Sequence, residues 1–592
     1  MNPLDPSSKK PTTHKPIVLI GVVRRALSHF SLFERVMFYT LAFIMTATSL
    51  TLLLCVDNLF TTPVPILGGE LKEGVVGSAR FINPVLAVSD SDRDLTTLIY
   101  SGLTRTLPDG TIIPDLAESY NITDDGKTYD FILKKNLTFH DGKPITASDV
   151  EYTIQKIQDP AIKSPKRPNW DGVVVEKVSE EEIKFHLKQV YAPFLLNTTI
   201  GILPKHIWKD ATPDEFPLSL FNFEPVGSGP YMVSGIDRNT AGLPLAYTLT
   251  PFSKYALGTP HIKTISFSFF PNEQSLFDAY TKKSIDSIHS VNPEKLETLK
   301  RSDTHIETAT LPRIFAVFFN QNEAPLFTDS NIRKALDLVT PKQEIVNTVF
   351  NGYGTVNNGP LPPEIATSTT QTSQTKLPDD IILNNARALL AKSGWVYNET
   401  THVLEKTVKT KKQTEVQKLS FSISTGDAPE LKKTAELLKT AWEKLGAVVD
   451  VKVFEQGDLN QNVIRPRKYD TLLFGEVVGR DLDLYAFWHS SQRNDPGLNV
   501  AMYTNSKTDK LLEVARTLES DSDRIEKYQE FSFELTKETP AIFLYSPQFI
   551  YLVPNTINGL TLSNITIPSE RFANIYEWYI DTERVWKVFA KH

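Results

Sequence analysis

Apolar and polar positions recur along this chain with two periods. At residues 128–134, Tyr129, Phe131 and Leu133 alternate with Thr128, Asp130 and Lys134, the signature of a half-buried strand. Val150, Ile154 and Ile157 then recur at helical spacing behind Thr146-Ala-Ser-Asp149, which predicts a helix with a side-chain cap. Three Asp-Gly pairs, at Asp109, Asp125 and Asp141, stand sixteen residues apart. Each predicts a tight reversal, because glycine adopts positive φ without steric cost. Residues 262–270 and 314–319 alternate as strands, and Ala335, Leu336 and Val339 face inward from a helix capped by Asp329 or Ser330. Residues 385–394 form a short helix stopped by Gly394. Leu431, Leu438, Trp442 and Leu445 line one face of a helix closed by Gly446, and Val449, Val451 and Val453 alternate after it. Helix followed by strand predicts an α/β lobe.

Residues 36–56 read VMFYTLAFIMTATSLTLLLCV, twenty-one positions without a charge, long enough to cross a bilayer. Lys9, Lys10, Lys15, Arg24, Arg25 and Arg35 precede this stretch, and the next basic residue is Lys72. The positive-inside rule then places residues 1–35 in the cytoplasm and the main domain outside. Residues 1–16 are polar and proline-rich, residues 17–36 suit a basic amphipathic helix on the membrane surface, and residues 57–68 are a linker. Two other readings stand beside the anchor. A cleaved signal would need a small-x-small site, which is absent near its end. A lipoprotein signal acylated at Cys55 would need a small residue where Leu54 stands.

The length of 592 residues, 41% of them hydrophobic, predicts more than one domain. A net charge of −7 and a pI near 6.0 argue against a nucleic-acid partner. The single cysteine excludes an intramolecular disulfide and a multi-cysteine metal site. The eleven histidines form neither His-Glu-x-x-His nor a close pair, so no metal or cofactor is expected. Ser228 lacks the Gly-x-Ser-x-Gly setting of a nucleophile, and no acid pair has a catalytic rationale. A non-enzyme is expected.

Several words carry a family resemblance. They are Tyr100-Ser-Gly-Leu103, Pro114-Asp-Leu-Ala-Glu-Ser-Tyr120, Asp125-Gly-Lys-Thr-Tyr-Asp-Phe-Ile-Leu133, Phe139-His-Asp-Gly142, Ile202-Leu-Pro-Lys-His206 and Pro225-Val-Gly-Ser-Gly-Pro-Tyr231. Together the chain resembles the extracellular solute-binding proteins of ABC importers, family 5, the peptide/nickel type. The resemblance runs from about Gly69 to the end of the chain. It implies an α/β, two-lobed periplasmic-binding-protein-like fold (type II, cluster C) with an extra domain, here preceded by one N-terminal transmembrane helix. Residues 69–98, 221–312 and 540–592 would make lobe 1, residues 99–220 the extra domain and residues 313–539 lobe 2. The two glycines of the Gly227-Ser-Gly229 word look like a strained crossing back between domains.

The implied function is capture of a peptide or peptide-like solute for an ABC permease. An extracellular peptide-, cell-wall-fragment- or partner-binding protein without transport, and a membrane-anchored hydrolase, are the alternatives. The resemblance also nominates ligand contacts. The Asn-Pro loop ending in Ser89 and Asp90 would line the cleft; an ordinary loop with Asp90 or Asp92 as helix cap is the other reading. Asn320 closes the strand at 314–319. In peptide-binding members a carboxylate anchors the ligand's amino group; placing Asp481-Leu-Asp483 on the family's word puts Val478 at that position, leaving Glu476 or Asp481 as substitutes. Tyr485 and Trp488 would stack on the ligand or pack in the core. Arg333 reads as a structural ion pair.

Overall fold

The computed structural model describes residues 30–589, apart from residues 124, 192, 364, 367–377, 410–413, 481, 519 and 564. The strand Ala541–Pro554 runs through the middle of a twelve-stranded sheet. Its first half pairs with Arg313–Phe319 and its second half with Thr304–Thr310, both antiparallel. The switch falls at Leu311-Pro312, where the Leu311 N–H donates to the Pro547 carbonyl at 3.2 Å. Proline has no backbone donor, so Pro312 and Pro547 sit where the ladder changes partners.

Two lobes hang on these crossing strands. Lobe 1 carries Gly68–Val76, Ile262–Phe270, Pro244–Pro251 and Tyr231–Arg238. Lobe 2 carries Thr471–Val477, Ser420–Gly426 and Val448–Phe454. Each lobe closes its own core. Leu71, Phe267, Tyr551 and Trp578 belong to one cluster; Phe319, Ile423 and Trp442 belong to a second. Phe318, Trp488 and Phe531 form a third on the other face of the lobe 2 sheet, because successive side chains of a strand point to opposite faces.

Outside the main sheet, Ala117–Ile122, Thr128–Leu133, Glu182–His186 and Val174–Lys177 form a four-stranded antiparallel sheet against the helix Ala147–Gln158. The alternation read at residues 128–134 is its second strand, with Tyr129, Phe131 and Leu133 buried. All three Asp-Gly turns form: Gly110, Gly126 and Gly142 have φ of 94°, 66° and 81°. Asp149 receives the Thr146 N–H at 2.9 Å, completing the expected capping box. Asp329 is the cap of Ser330–Leu338, and Gly446, at φ 115°, stops the helix Pro429–Leu445.

The Gly227-Ser-Gly229 word is a backbone crossing, but its glycines have no left-handed φ. They are required by contact. A Cβ on Gly227 would lie 2.0 Å from the Ile99 carbonyl oxygen, and one on Gly229 would lie 2.6 Å from the Ile99 carbonyl carbon. The Gly229 N–H donates to that same Ile99 carbonyl at 2.8 Å. His140, from the Phe139-His-Asp-Gly142 word, stitches the crossing. Its Nδ1 accepts the Gly227 N–H at 3.3 Å and its Nε2 lies 3.1 Å from the Gly229 carbonyl. Burial pushes this imidazole down to about 4, so the ring is neutral.

Among the described residues, 30–66 and 582–589 form a separate compact unit. Its helix, Leu32–Phe60, contains the expected span; residues 32–52 are long and apolar enough to cross a membrane, and their side chains are exposed, that of Ala42 in part. The expected linker at 57–68 is instead helix to Phe60 and then the strand Thr61–Pro65, paired antiparallel with Thr582–Trp586. An edge position in a two-stranded ribbon tolerates Pro63 and Pro65. The surface helix expected at residues 17–36 lies largely outside the described residues.

Candidate ligand site

Two cavities separate the inserted four-stranded subdomain from lobe 2. One, of about 590 Å³, is bounded by the Asp109-Gly110 turn, Tyr120, Thr310, Pro312, Arg480 and Ile525. It therefore touches the crossing strands and both sides of the cleft. Across this gap Arg480 Nη2 donates to Glu570 Oε2 at 2.8 Å. Glu570 is fixed by the Thr566 N–H at 2.7 Å and the Thr566 hydroxyl at 2.6 Å. The other cavity, of about 940 Å³, is bounded by Lys127, Lys188, Tyr191, Tyr485, Glu513 and Arg516.

The nominated residues divide by environment. Tyr485, on the short helix Tyr485–Trp488, lines the larger cavity. Its ring is held between His489, stacked at 4.1 Å, and the Arg516 guanidinium, 4.0 Å from the ring centre. Arg516 is itself held by Asp483 at 2.5 Å. The clamp covers the two faces of the ring, and the hydroxyl lies 3.4 Å from Ser491 Oγ, so it is the ring edge that borders the cavity. Trp488 is fully buried among Phe318, Tyr503 and Phe543, so core packing is its role.

Asn320 is buried and its amide is consumed internally. Nδ2 donates to the Arg467 carbonyl at 2.7 Å, and Oδ1 accepts the Asn322 and Glu323 N–H groups. A side chain so engaged shapes the loop after its strand rather than meeting solute. Ser89 and Asp90 are exposed. Ser89, not Asp90 or Asp92, is the N-cap, accepting the Asp92 N–H at 3.1 Å; Asp92 instead accepts the N–H groups of Arg80 and Phe81 and folds the loop. Arg333 is structural, as expected, but its partners are carbonyls of Phe327, Glu538 and Thr539 rather than a carboxylate.

Glu476 stands opposite Ile314 on the lobe 2 sheet and is buried, with no hydrogen-bond partner for either carboxylate oxygen. Desolvation raises its carboxyl well above the usual range, opposed only by the Trp488 indole. Burial therefore favours its protonated form. Val478, at the expected anchor position, is fully buried. Asp481 lies outside the described residues.

The sequence reading missed the Arg480–Glu570 pair, because 90 residues separate its partners and neither belongs to a family word. It also missed a buried network in lobe 1. Arg571 is fully buried and donates to Glu73 and Asp94, each at 2.8 Å. Tyr551 donates to Glu73 at 2.9 Å. The network ties the helix Asp90–Ile99, which begins at the exposed Ser89–Asp90 pair, to the crossing strand. Nearby positive charge holds the Asp94 carboxyl below its ordinary range despite burial.

Residues 111–509 match the bacterial extracellular solute-binding proteins, family 5. The chain belongs to this family. Its members are solute-binding proteins. The chain is 26% identical over 530 residues to the oligopeptide-binding protein AppA of Bacillus subtilis, covering 87% of this chain and 92% of that one. The solved structure of AppA from Bacillus subtilis in complex with a nonapeptide superposes with a TM-score of 0.63 at 25% identity, covering 88% of this chain and 100% of that one. NikZ from Campylobacter jejuni in complex with Ni(L-His) superposes with a TM-score of 0.65 at 24% identity, covering 86% and 99%. The fold is the two-lobed α/β architecture of these proteins, with one long apolar helix near the N-terminus.

Proposed function

We propose that this chain captures a peptide or peptide-like solute outside the cytoplasmic membrane and delivers it to the permease of an ABC importer. The observation that carries this reading is the 590 Å³ cavity bounded by both sides of the cleft and by the crossing strands. Its volume suits a short peptide. The crossing at Leu311-Pro312 supplies a hinge, and closure would bury apolar surface while presenting polar groups to the solute's main chain. A solute shifts the open–closed balance only by its preference for the closed form, and the permease would sense that form. No covalent step is needed. Similarity to an oligopeptide-binding relative favours peptide over nickel.

Among the nominated contacts, Tyr485 borders a cavity and Ser89 and Asp90 are exposed, so these are the ones assigned to the solute, with Arg480 on the wall of the smaller cleft cavity. The ligand's amino group is not anchored at Val478; Asp481 is the carboxylate left for that task. The helix Leu32–Phe60 would hold the receptor in the membrane with its N-terminus cytoplasmic, keeping it concentrated near its permease. Mass spectrometry of whatever co-purifies with the chain, followed by thermal denaturation with a mixed peptide pool, tests the reading. A rise in Tm with the pool intact is expected. Consumption of the pool would indicate an enzyme, and no response would indicate a scaffold.

A further inference from the structure

A third cavity, of about 220 Å³, lies beside the helix Asp90–Ile99 in lobe 1. Its polar wall is unbalanced. Arg93, Thr96, Tyr100 and Lys166 all line it. Arg93 Nε, Thr96 Oγ1 and the Tyr100 hydroxyl are buried atoms with no hydrogen-bond partner, and Tyr100 is 3% exposed. Neither Arg93 nor Lys166 forms an ion pair with any described residue. Burial, and next the charge of Arg93, push the Lys166 ammonium down from its ordinary range, and the Glu570 carboxylate opposes them in part.

Of the two acids on the wall, Glu570 is engaged through both oxygens and Asp115 through Oδ2 alone. Asp115 accepts from Arg105 Nε at 3.0 Å and from the Tyr255 hydroxyl at 3.5 Å. Glu570 accepts from Arg480 and Thr566. What remains is a convergent set of donors, two of them cationic, facing one unpartnered acceptor, Asp115 Oδ1. Buried donors cost free energy unless they are matched, and cations are matched best by an anion that accepts several hydrogen bonds.

We propose that this cavity binds a carboxylate, held by Arg93 and Lys166 with the hydroxyls of Thr96 and Tyr100. The carboxylate belongs either to a free small acid or to the captured solute; only the second source rests on the peptide reading above. Arg93 and Lys166 then act as specificity residues for an acidic group in a protein of net negative charge.

Calorimetry of the full chain in detergent micelles tests this, with acetate as the probe at constant ionic strength. One acetate per chain is expected. Arg93→Gln and Lys166→Met each weaken it at least tenfold, whereas Lys166→Arg retains most of the affinity. Neither cation supports a folded contact, so the variants keep their Tm, and Tyr100→Phe serves as a second, charge-neutral variant with a several-fold loss. Titrating trialanine and trialanine amide separates the sources. A tenfold preference for the free acid that disappears in Lys166→Met assigns the carboxylate to the solute. Acetate binding with no such preference assigns the site to a free acid, and acetate binding with neither peptide bound retains the site while removing the peptide reading. Absence of an acetate signal, or an equal signal in the Arg93→Gln Lys166→Met double variant, overturns the proposal.

Discussion

Nη2 of Arg480 lies 2.8 Å from Oε2 of Glu570, joining the loop after strand Thr471–Val477 of lobe 2 to the turn Pro568–Phe572 of lobe 1. The two side chains are 15% and 26% exposed, so solvent screens the pair only in part. A pair that bridges the two lobes favours the form in which they meet, so it is expected to act as a latch on closure. Arg480→Gln should remove about 1 kcal/mol from closure, a roughly fivefold loss of solute affinity. Small-angle scattering of the full chain in micelles should show a more open average shape. Unchanged scattering and unchanged affinity would dismiss the latch.

Glu476 makes stability depend on pH in a direction opposite to that of a paired carboxylate. Its folded-state value is raised, so its contribution is full below about 4.3 and declines as pH rises toward the folded value. Glu476→Gln keeps the shape and removes the titration. The variant should match the wild type near pH 4.5 and exceed it by about 1–2 kcal/mol at pH 8. Denaturant titrations across this range would reveal the divergence; parallel curves would mean that the acid is solvated.

His140 gives the opposite slope. Its folded value of about 4 lies below the ordinary 6.5. The stability it supports is present above 6.5 and lost as pH falls toward 4, where protonation of Nδ1 would oppose the Gly227 N–H. About 3 kcal/mol should disappear over that window. His140→Asn should be less stable at pH 7.5 and lose less on acidification, as read by Tm.

Arg571 is the residue whose removal should cost the most. Arg571→Met leaves Glu73 and Asp94 fully buried without the guanidinium that bridges them, and among the described residues only His289, 3.5 Å from Asp94, stays near as a basic group. A loss of about 3–5 kcal/mol follows, enough to reduce yield sharply. Chemical denaturation, or hydrogen exchange in the helix Asp90–Ile99, would register it. A variant with wild-type stability would show that the two acids are protonated or hydrated instead.

The apolar helix near the N-terminus should remain on the mature chain. Intact-mass analysis of membrane-derived protein should return residues on the N-terminal side of the span, and alkaline carbonate should not extract it. A mature chain beginning near residue 57 would identify a cleaved signal, and a lipid adduct on Cys55 would identify a lipoprotein.

Local patterns in the sequence determined a large part of this protein. The alternation at Tyr129, Phe131 and Leu133, the three Asp-Gly turns, the capping box at Thr146–Asp149 and the glycine stop at Gly446 depend on neighbours a few residues away. The family words extended this to two lobes on crossing strands, since their order mirrors the order of elements. The tertiary structure decided everything that depends on distant partners. Gly227 and Gly229 are glycines because Ile99 passes against them. Trp488 and Asn320 left the list of ligand contacts once their burial and partners were visible. Arg571 meets Glu73 across 498 positions of chain, and Arg480 meets Glu570 across 90. Burial and charge pairing are properties of a three-dimensional neighbourhood, and the hydrophobic period of one segment holds no record of which other segment will face it.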